Sequence, residues 1–202
     1  MKKILKAPFL LSLTLLATLT LNLFFMPKSI SQAKAAAPVA ANTANSENVL
    51  FIDLKYGRVV IELMPAIAPK HVERIKTLAN RGFYDGIPFH RVIDGFMAQT
   101  GDPTGTGTGS SELPDLRAEF NNEPHLRGAV SMARASSPNS ANSQFFIVTK
   151  DSRFLDGQYT LFGRVIDGMK YVDMIKKGEG QGGMVKNPDV MVKVRMAKDA
   201  NK

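Results

Sequence analysis

Phe89-His90-Arg91-Val92-Ile93-Asp94-Gly95-Phe96-Met97-Ala98-Gln99-Thr100-Gly101-Asp102 reads as two short extended runs with a turn around Gly95. Side chains alternate faces along a strand, so Met97 and Gln99 share one face. If the first run pairs with the second, Arg91 reaches that face too. A fixed positive donor then stands over an apolar floor of Phe96 and Met97. Nothing in the stretch is a nucleophile. An ordinary hairpin with a solvated arginine fits these residues as well, so the rest of the chain has to choose.

Working outward, the neighbouring segments are mostly short strands. Val49 to Lys55 is an extended run, Tyr56-Gly57-Arg58 turns it, and Val59 to Leu63 returns. A helix comes next. Pro69 suits its first turn, Val72, Ile75, Leu78 and Ala79 recur at helical spacing, and Gly82 suits its end. Past the opening stretch, residues 101–109 are rich in glycine. They lack the Gly-Lys-Ser/Thr ending of a phosphate loop and no helical pattern comes after them, so they read as a flexible wall that lets backbone approach a ligand, with Asp102 organising it. Short strands are expected at residues 128–133, 144–148 and 159–165. Phe145 and Phe146 must then face opposite ways, with Phe146 on the side of the site. Asp167 is positioned to cap a second helix carrying Met169, Val172 and Ile175 inward and ending at Gly178. Val190, Val192, Val194 and Met196 alternate on a closing strand. About seven or eight short strands and two helices point to a mainly β domain, a closed barrel or a sandwich, and closure would remove sheet edges that invite aggregation.

Composition narrows the chemistry. The 202 residues hold no cysteine, which excludes disulfides, thiolate metal sites and cysteine nucleophiles. His71, His90 and His125 have no metal-ligand spacing; His90 reads as structural, His71 as lying on an exposed helix face and His125 as lying in a loop. The net charge of +8 is largely an N-terminal effect: Lys2, Lys3, Lys6, Lys28 and Lys34 precede Ala36 and no acid does. No run of five or six like charges marks a nucleic-acid surface.

The N-terminus itself has a signal-peptide layout across residues 1–35. Three lysines precede an apolar run from Phe9 to Met26, Pro27 breaks it, and Ala33-Lys34-Ala35 forms an A-x-A-type cleavage site. An uncleaved membrane anchor is the alternative, because a run over residues 9–26 is short for a bilayer span and long for a signal core. Either reading exports the remainder of the chain, which divides into a flexible Ala/Asn/Ser linker at 36–47 and a folded domain at 48–198. The expected destination is the periplasm, with inner-membrane anchoring or secretion as alternatives, and the expected state is a monomer.

The opening stretch, Ser131-Met132-Ala133, Ser143-Gln144-Phe145-Phe146-Ile147 and Leu155-Asp156-Gly157 together resemble the cyclophilin family of peptidyl-prolyl cis-trans isomerases in order and spacing across residues 49–197. The resemblance implies an eight-stranded antiparallel closed β-barrel capped by two α-helices. It implies Arg91 as the catalytic arginine and Gln99 as the residue holding the substrate backbone. Phe96, Met97, Phe146 and Leu155 would form the proline pocket, and Ala133, Arg134, Phe154 and Tyr159 would border the bound peptide. It implies no cofactor or metal, and proline-containing polypeptides as partners. Two positions depart from the pattern of many eukaryotic members: Phe154 stands where they have tryptophan and Tyr159 where they have histidine. The loop from Arg134 to Asn142 is also one residue longer. The tryptophan contributes to cyclosporin binding, so affinity for that drug stays open. Two other functions are compatible with such a barrel: a non-catalytic module gripping proline segments, and a carrier holding a small ligand in the barrel interior. The first would be marked by loss of Arg91 or Gln99, the second by an interior left unfilled.

Overall fold

The computed structural model describes residues 43–200. The expected signal or anchor segment, and the linker as far as residue 42, lie outside the described residues. The last part of that linker is not extended. Thr43–Asn48 forms a 3-10 helix, and Asn48 Oδ1 accepts a hydrogen bond from Lys76 Nζ at 2.7 Å.

Eight strands form one antiparallel sheet: β1 (Val49–Leu54), β2 (Gly57–Leu63), β3 (Arg91–Ile93), β4 (Met97–Thr100), β5 (Ala129–Met132), β6 (Phe145–Val148), β7 (Leu161–Asp167) and β8 (Lys193–Met196). Their order is β3-β4-β6-β5-β7-β2-β1-β8. The closed barrel is met only in part. The end strands β3 and β8 share no ladder, and the sheet is a curled half-barrel. Isolated contacts stitch the segments beside the two edges: Phe89 N–H donates to the Asp189 carbonyl at 2.8 Å, Met191 N–H to the Ile87 carbonyl at 3.0 Å, and Pro88 pairs with Val190. Pro88 and Pro188 have no N–H to give, so a continuous ladder cannot run along this seam.

The two faces of the sheet carry separate apolar clusters, and period-two alternation sorts residues between them. Val92, Ala98, Val130, Met132, Phe145, Ile147 and Phe162 turn to the main core. Met97, Ala129, Phe146, Val148, Leu155 and Leu161 gather on the other face. Phe145 and Phe146 separate as expected. The main-core side is filled by large buried rings such as Tyr84, Phe89, Phe145 and Phe162, which argues against an interior ligand chamber.

Helix α1 (Pro69–Asn80) buries Val72, Ile75, Leu78 and Ala79 as its spacing predicts. His71 also lies inward, fully buried, contrary to the exposed face expected for it. The reason is a distant carboxylate. Ala68 supplies no side-chain cap, and Glu119 instead accepts the Lys70 and His71 backbone N–H groups at 3.1 Å each and meets His71 Nδ1 at 2.6 Å. Helix α2 (Met169–Asp173) is shorter than expected. Gly168, in the left-handed region at φ 85°, occupies the cap position, Asp167 accepts only the Gly168 N–H, and the chain leaves the helix well before Gly178. The closing strand is likewise shorter. Met191, Val194 and Met196 turn inward, while Val190 and Val192 are exposed, because Val192 spends its N–H on the Asp53 carbonyl outside the ladder.

Candidate active site

Register builds the site. β3 and β4 pair Arg91 with Gln99 and Ile93 with Met97, and β4 and β6 pair Gln99 with Phe146. Directly opposed residues share a face. Arg91, Gln99 and Phe146 therefore stand in a row across three strands, with Met97 one step along. The turn between β3 and β4 needs Gly95, whose φ is 66°. A short 3-10 turn, Arg153–Leu155, brings Phe154 and Leu155 to the same face.

Every residue expected in the site lines one cavity of about 360 Å³: Arg91, Phe96, Met97, Gln99, Ala133, Arg134, Phe146, Phe154, Leu155 and Tyr159. Met97, Phe146 and Leu155 are buried and form its floor. Phe154, 65% exposed, is a rim residue whose ring lies 5.4 Å from that of Phe96. The ring of Tyr159 meets Phe146 edge-on at 5.7 Å. Both positions that depart from the pattern of many eukaryotic members thus fall on the wall or rim of the cavity.

The polar side is a relay of fixed hydrogen bonds. Arg91 Nε donates to the Gly182 carbonyl at 2.9 Å and Nη1 to Gln99 Oε1 at 3.2 Å. Gln99 Nε2 donates to Gln144 Oε1 at 2.9 Å, and Gln144 Nε2 donates to the Gly107 and Gly109 carbonyls at 3.1 and 2.8 Å. This polarity fixes both amide orientations. Among the described residues Arg91 Nη2 has no hydrogen-bond partner.

The glycine segment is an ordered wall. Asp102 is fully buried and accepts from Thr104 N at 2.7 Å, Thr104 Oγ1 at 2.8 Å, Gly107 N at 2.6 Å and Gly109 N at 3.1 Å. Burial alone would raise its pKa, but the Thr104 hydroxyl and the three N–H groups hold it at about 2. Arg134 braces the opposite wall, donating to the Gln158, Ala135 and Ser136 carbonyls and stacking 4.7 Å above Tyr159. The Ala133 N–H is already spent on the Gln144 carbonyl at 2.9 Å, so it has no donor left for a peptide.

His90, Gly107 and Met184 also line the cavity and went unpredicted as site residues. His90 is buried, and burial pushes its imidazole below the ordinary histidine range against the pull of Asp102 and the Pro88 carbonyl. Gly107 belongs to the segment already read as a wall. Met184 arrives from a glycine-rich loop through an isolated bridge to Arg91, a contact with no periodic signal.

The family profile described as "Cyclophilin type peptidyl-prolyl cis-trans isomerase/CLD" matches residues 49–197. A Brucella suis protein named "Probable peptidyl-prolyl cis-trans isomerase" is 52% identical over 171 residues, covering 79% of this chain and 87% of that one. An Aspergillus niger "Peptidyl-prolyl cis-trans isomerase-like 1" is 45% identical over 124 residues, 59% of this chain and 76% of that one. Among solved structures, cyclophilin AquaCyp293 from Hirschia baltica aligns with a TM-score of 0.69 at 31% identity, covering 76% of this chain and 75% of that one. A Cryptosporidium parvum cyclophilin crystallised in the presence of the dipeptide Ala-Pro aligns with a TM-score of 0.69 at 30% identity, covering 73% of this chain and 98% of that one. A sheet order that sets an arginine beside a glutamine over a phenylalanine-lined pocket, and sequence relatives that agree along nearly the whole domain, converge on one assignment: the chain belongs to the cyclophilin-type peptidyl-prolyl cis-trans isomerases.

Proposed function

We propose that Arg91 is the catalytic residue of this isomerase, that Gln99 holds the substrate backbone, and that Met97, Phe96, Phe146 and Leu155 receive the proline ring. An X-Pro bond rotates through a barrier of about 18–20 kcal/mol, which is mainly lost amide resonance. As the bond twists, the proline nitrogen becomes pyramidal and its lone pair can accept a hydrogen bond. A guanidinium near that nitrogen stabilises the twisted state more than the planar one, which is the condition for catalysis. The observation that carries the reading is the clamp on Arg91. Gly182 and Gln99 fix two of its nitrogens, and Nη2 keeps its donors beside the apolar floor. Low surrounding polarity strengthens such a bond and disfavours the charge-separated planar amide. Lowering the barrier by about 7 kcal/mol corresponds to a rate increase of about 10⁵-fold. Ala133, Arg134, Phe154 and Tyr159 border the flanking residues of the peptide.

The setting of this activity is argued from the N-terminus. The lysines, apolar run and Ala33-Lys34-Ala35 of residues 1–35 support export to the periplasm. The substrates are then proline-containing segments of exported proteins during folding, met by a monomeric enzyme. The test monitors cis-to-trans conversion of an Ala-Pro peptide by the full chain and by an Arg91→Ala variant shown by circular dichroism to be folded. A fall in kcat/KM of about 10²–10³ supports the reading. Equal activity of the folded variant removes Arg91 from the mechanism, and an inactive folded parent leaves only a proline-binding module. Sequencing the N-terminus of the protein recovered from cells decides export: a start at Ala36 supports cleavage, and an intact Met1 in the membrane fraction supports the anchor.

A further inference from the structure

Ser131, His125 and Asp156 form a hydrogen-bonded row behind the proline pocket. His125 lies in a loop, as its sequence position suggests, but it is 1% exposed. Its Nε2 lies 2.8 Å from Ser131 Oγ and its Nδ1 lies 3.0 Å from Asp156 Oδ1. Hydrolytic chemistry is excluded, because Ser131 is fully buried and no substrate reaches it.

Charge fixes the proton positions. The His125 N–H and the Arg153 guanidinium hold Asp156 at about 2, so it is a carboxylate that only accepts. Nδ1 is therefore the protonated nitrogen of the ring. Burial keeps the imidazole neutral by pushing it below the ordinary histidine range against the pull of Asp156, so Nε2 accepts the Ser131 hydroxyl.

This arrangement joins two walls that sequence leaves apart. On one side, His125 grips the turn that carries Leu155 at three points: its N–H and Nδ1–H both donate to Asp156 Oδ1, and its carbonyl accepts the Ser152 N–H at 2.8 Å. On the other, Ser131 opposes Phe146 across β5 and β6. The ring is thus a strut between the Leu155 turn and the strand pair that presents Phe146.

We propose that His125 is a positioning residue of the isomerase, holding the Leu155 wall at a fixed distance from Phe146 so that the pocket fits a proline ring. This rests on Leu155 and Phe146 being the walls of the proline pocket. Loss of the strut loosens contacts made equally to planar and twisted proline, so KM rises while kcat is kept. A role confined to stability would instead lower the folded fraction, and with it the apparent kcat, at unchanged KM.

The experiment measures kcat and KM on an Ala-Pro peptide for the full chain and for His125→Phe, His125→Asn and Asp156→Ala, with folded fractions from circular dichroism. Expected are a rise in KM of about tenfold for His125→Phe and Asp156→Ala with kcat within about twofold, and partial recovery of KM in His125→Asn, whose amide can replace Nδ1–H. Unchanged KM in folded His125→Phe overturns the proposal. If that variant does not fold, Asp156→Ala decides, since Asp156 lies at the surface end of the strut and its removal leaves the buried ring in place. Arg91→Ala in the same series separates the two readings: it lowers kcat if the site assignment stands, whatever the His125 variants do.

Discussion

The function of Arg91 depends on its shape as much as its charge. Nε and Nη1 are spent on Gly182 and Gln99, which aims the remaining donors. Lysine keeps the charge but has a single terminal nitrogen and cannot hold two anchors while presenting a third donor. Arg91→Lys is therefore expected to lower kcat/KM by about 10–10²-fold with little effect on folding, measured on the same peptide as the alanine variant. Activity near that of the parent would mean that charge alone suffices. Alternation puts Met97 and Gln99 on one face, but Arg91 joins them only once the two runs pair, and its singling out came from the family resemblance. Met184 and His125 were not legible, since their contacts come from segments without periodicity, and a buried histidine reads the same in sequence as a solvated one.

Elements were legible where a local rule acts alone and obscure where a remote group intervenes. The β3–β4 hairpin is dictated by alternation and Gly95, and α1 by its apolar stripe and Pro69. The cap of α1 has no local signal because it is Glu119, which lies far along the chain. β8 is shorter than its alternation implies because Pro88, Pro188 and the Asp53 carbonyl decide where pairing begins. The loop at 178–184 is another such element. It delivers the Gly182 carbonyl to Arg91, and at Gly183, where φ is 69°, an added Cβ would collide with Ile93 Cγ1 and lie 3.0 Å from the Val92 carbonyl. Gly183→Ala is expected to reduce stability by about 1–3 kcal/mol and to lower kcat by shifting the Arg91 anchor, whereas the same change at Gly180, where nothing lies within 4 Å, is expected to affect stability less. Equal urea midpoints for the two would show that the loop yields freely. The glycine wall depends on one side chain in the same way. Asp102→Ala leaves the Gly107 and Gly109 N–H groups without their acceptor, so a loss of about 2–3 kcal/mol in urea unfolding is expected, together with a higher KM as the wall relaxes. A variant with parental stability and KM would show that the segment is held by other contacts.

At the scale of the molecule, all three histidines are buried and burial lowers each pKa below its ordinary value of 6.5. The nearest charges act in pairs of opposite sign: Glu119 and Arg74 on His71, Asp102 and Arg91 on His90, Asp156 and Arg164 on His125. In each case burial outweighs the carboxylate. Proton counting gives the sign. Above about pH 6.5 a histidine is neutral in both the folded and unfolded chain, and stability does not depend on it. Below that pH the unfolded chain takes up the proton first, so stability falls until the lower folded pKa is reached. Asp102, Asp156, Glu119, Asp173 and Asp189 have lowered pKa values in the fold, so their contribution is full above the usual carboxylate range and is lost in a second window as pH falls toward about 2, the value at Asp102 and Asp156. Acid unfolding is therefore expected in two stages, the first beginning below about pH 6.5 with a slope of up to about 1.4 kcal/mol per pH unit for each histidine. Urea midpoints of the full chain from pH 8 to pH 4 measure it. His71→Gln should reduce the early slope by about one histidine's share, because the amide can still donate to Glu119 but does not titrate. A flat profile down to pH 5 would mean that the Glu119, Asp102 and Asp156 carboxylates offset burial completely, and that the histidines are held by charge instead of being kept neutral.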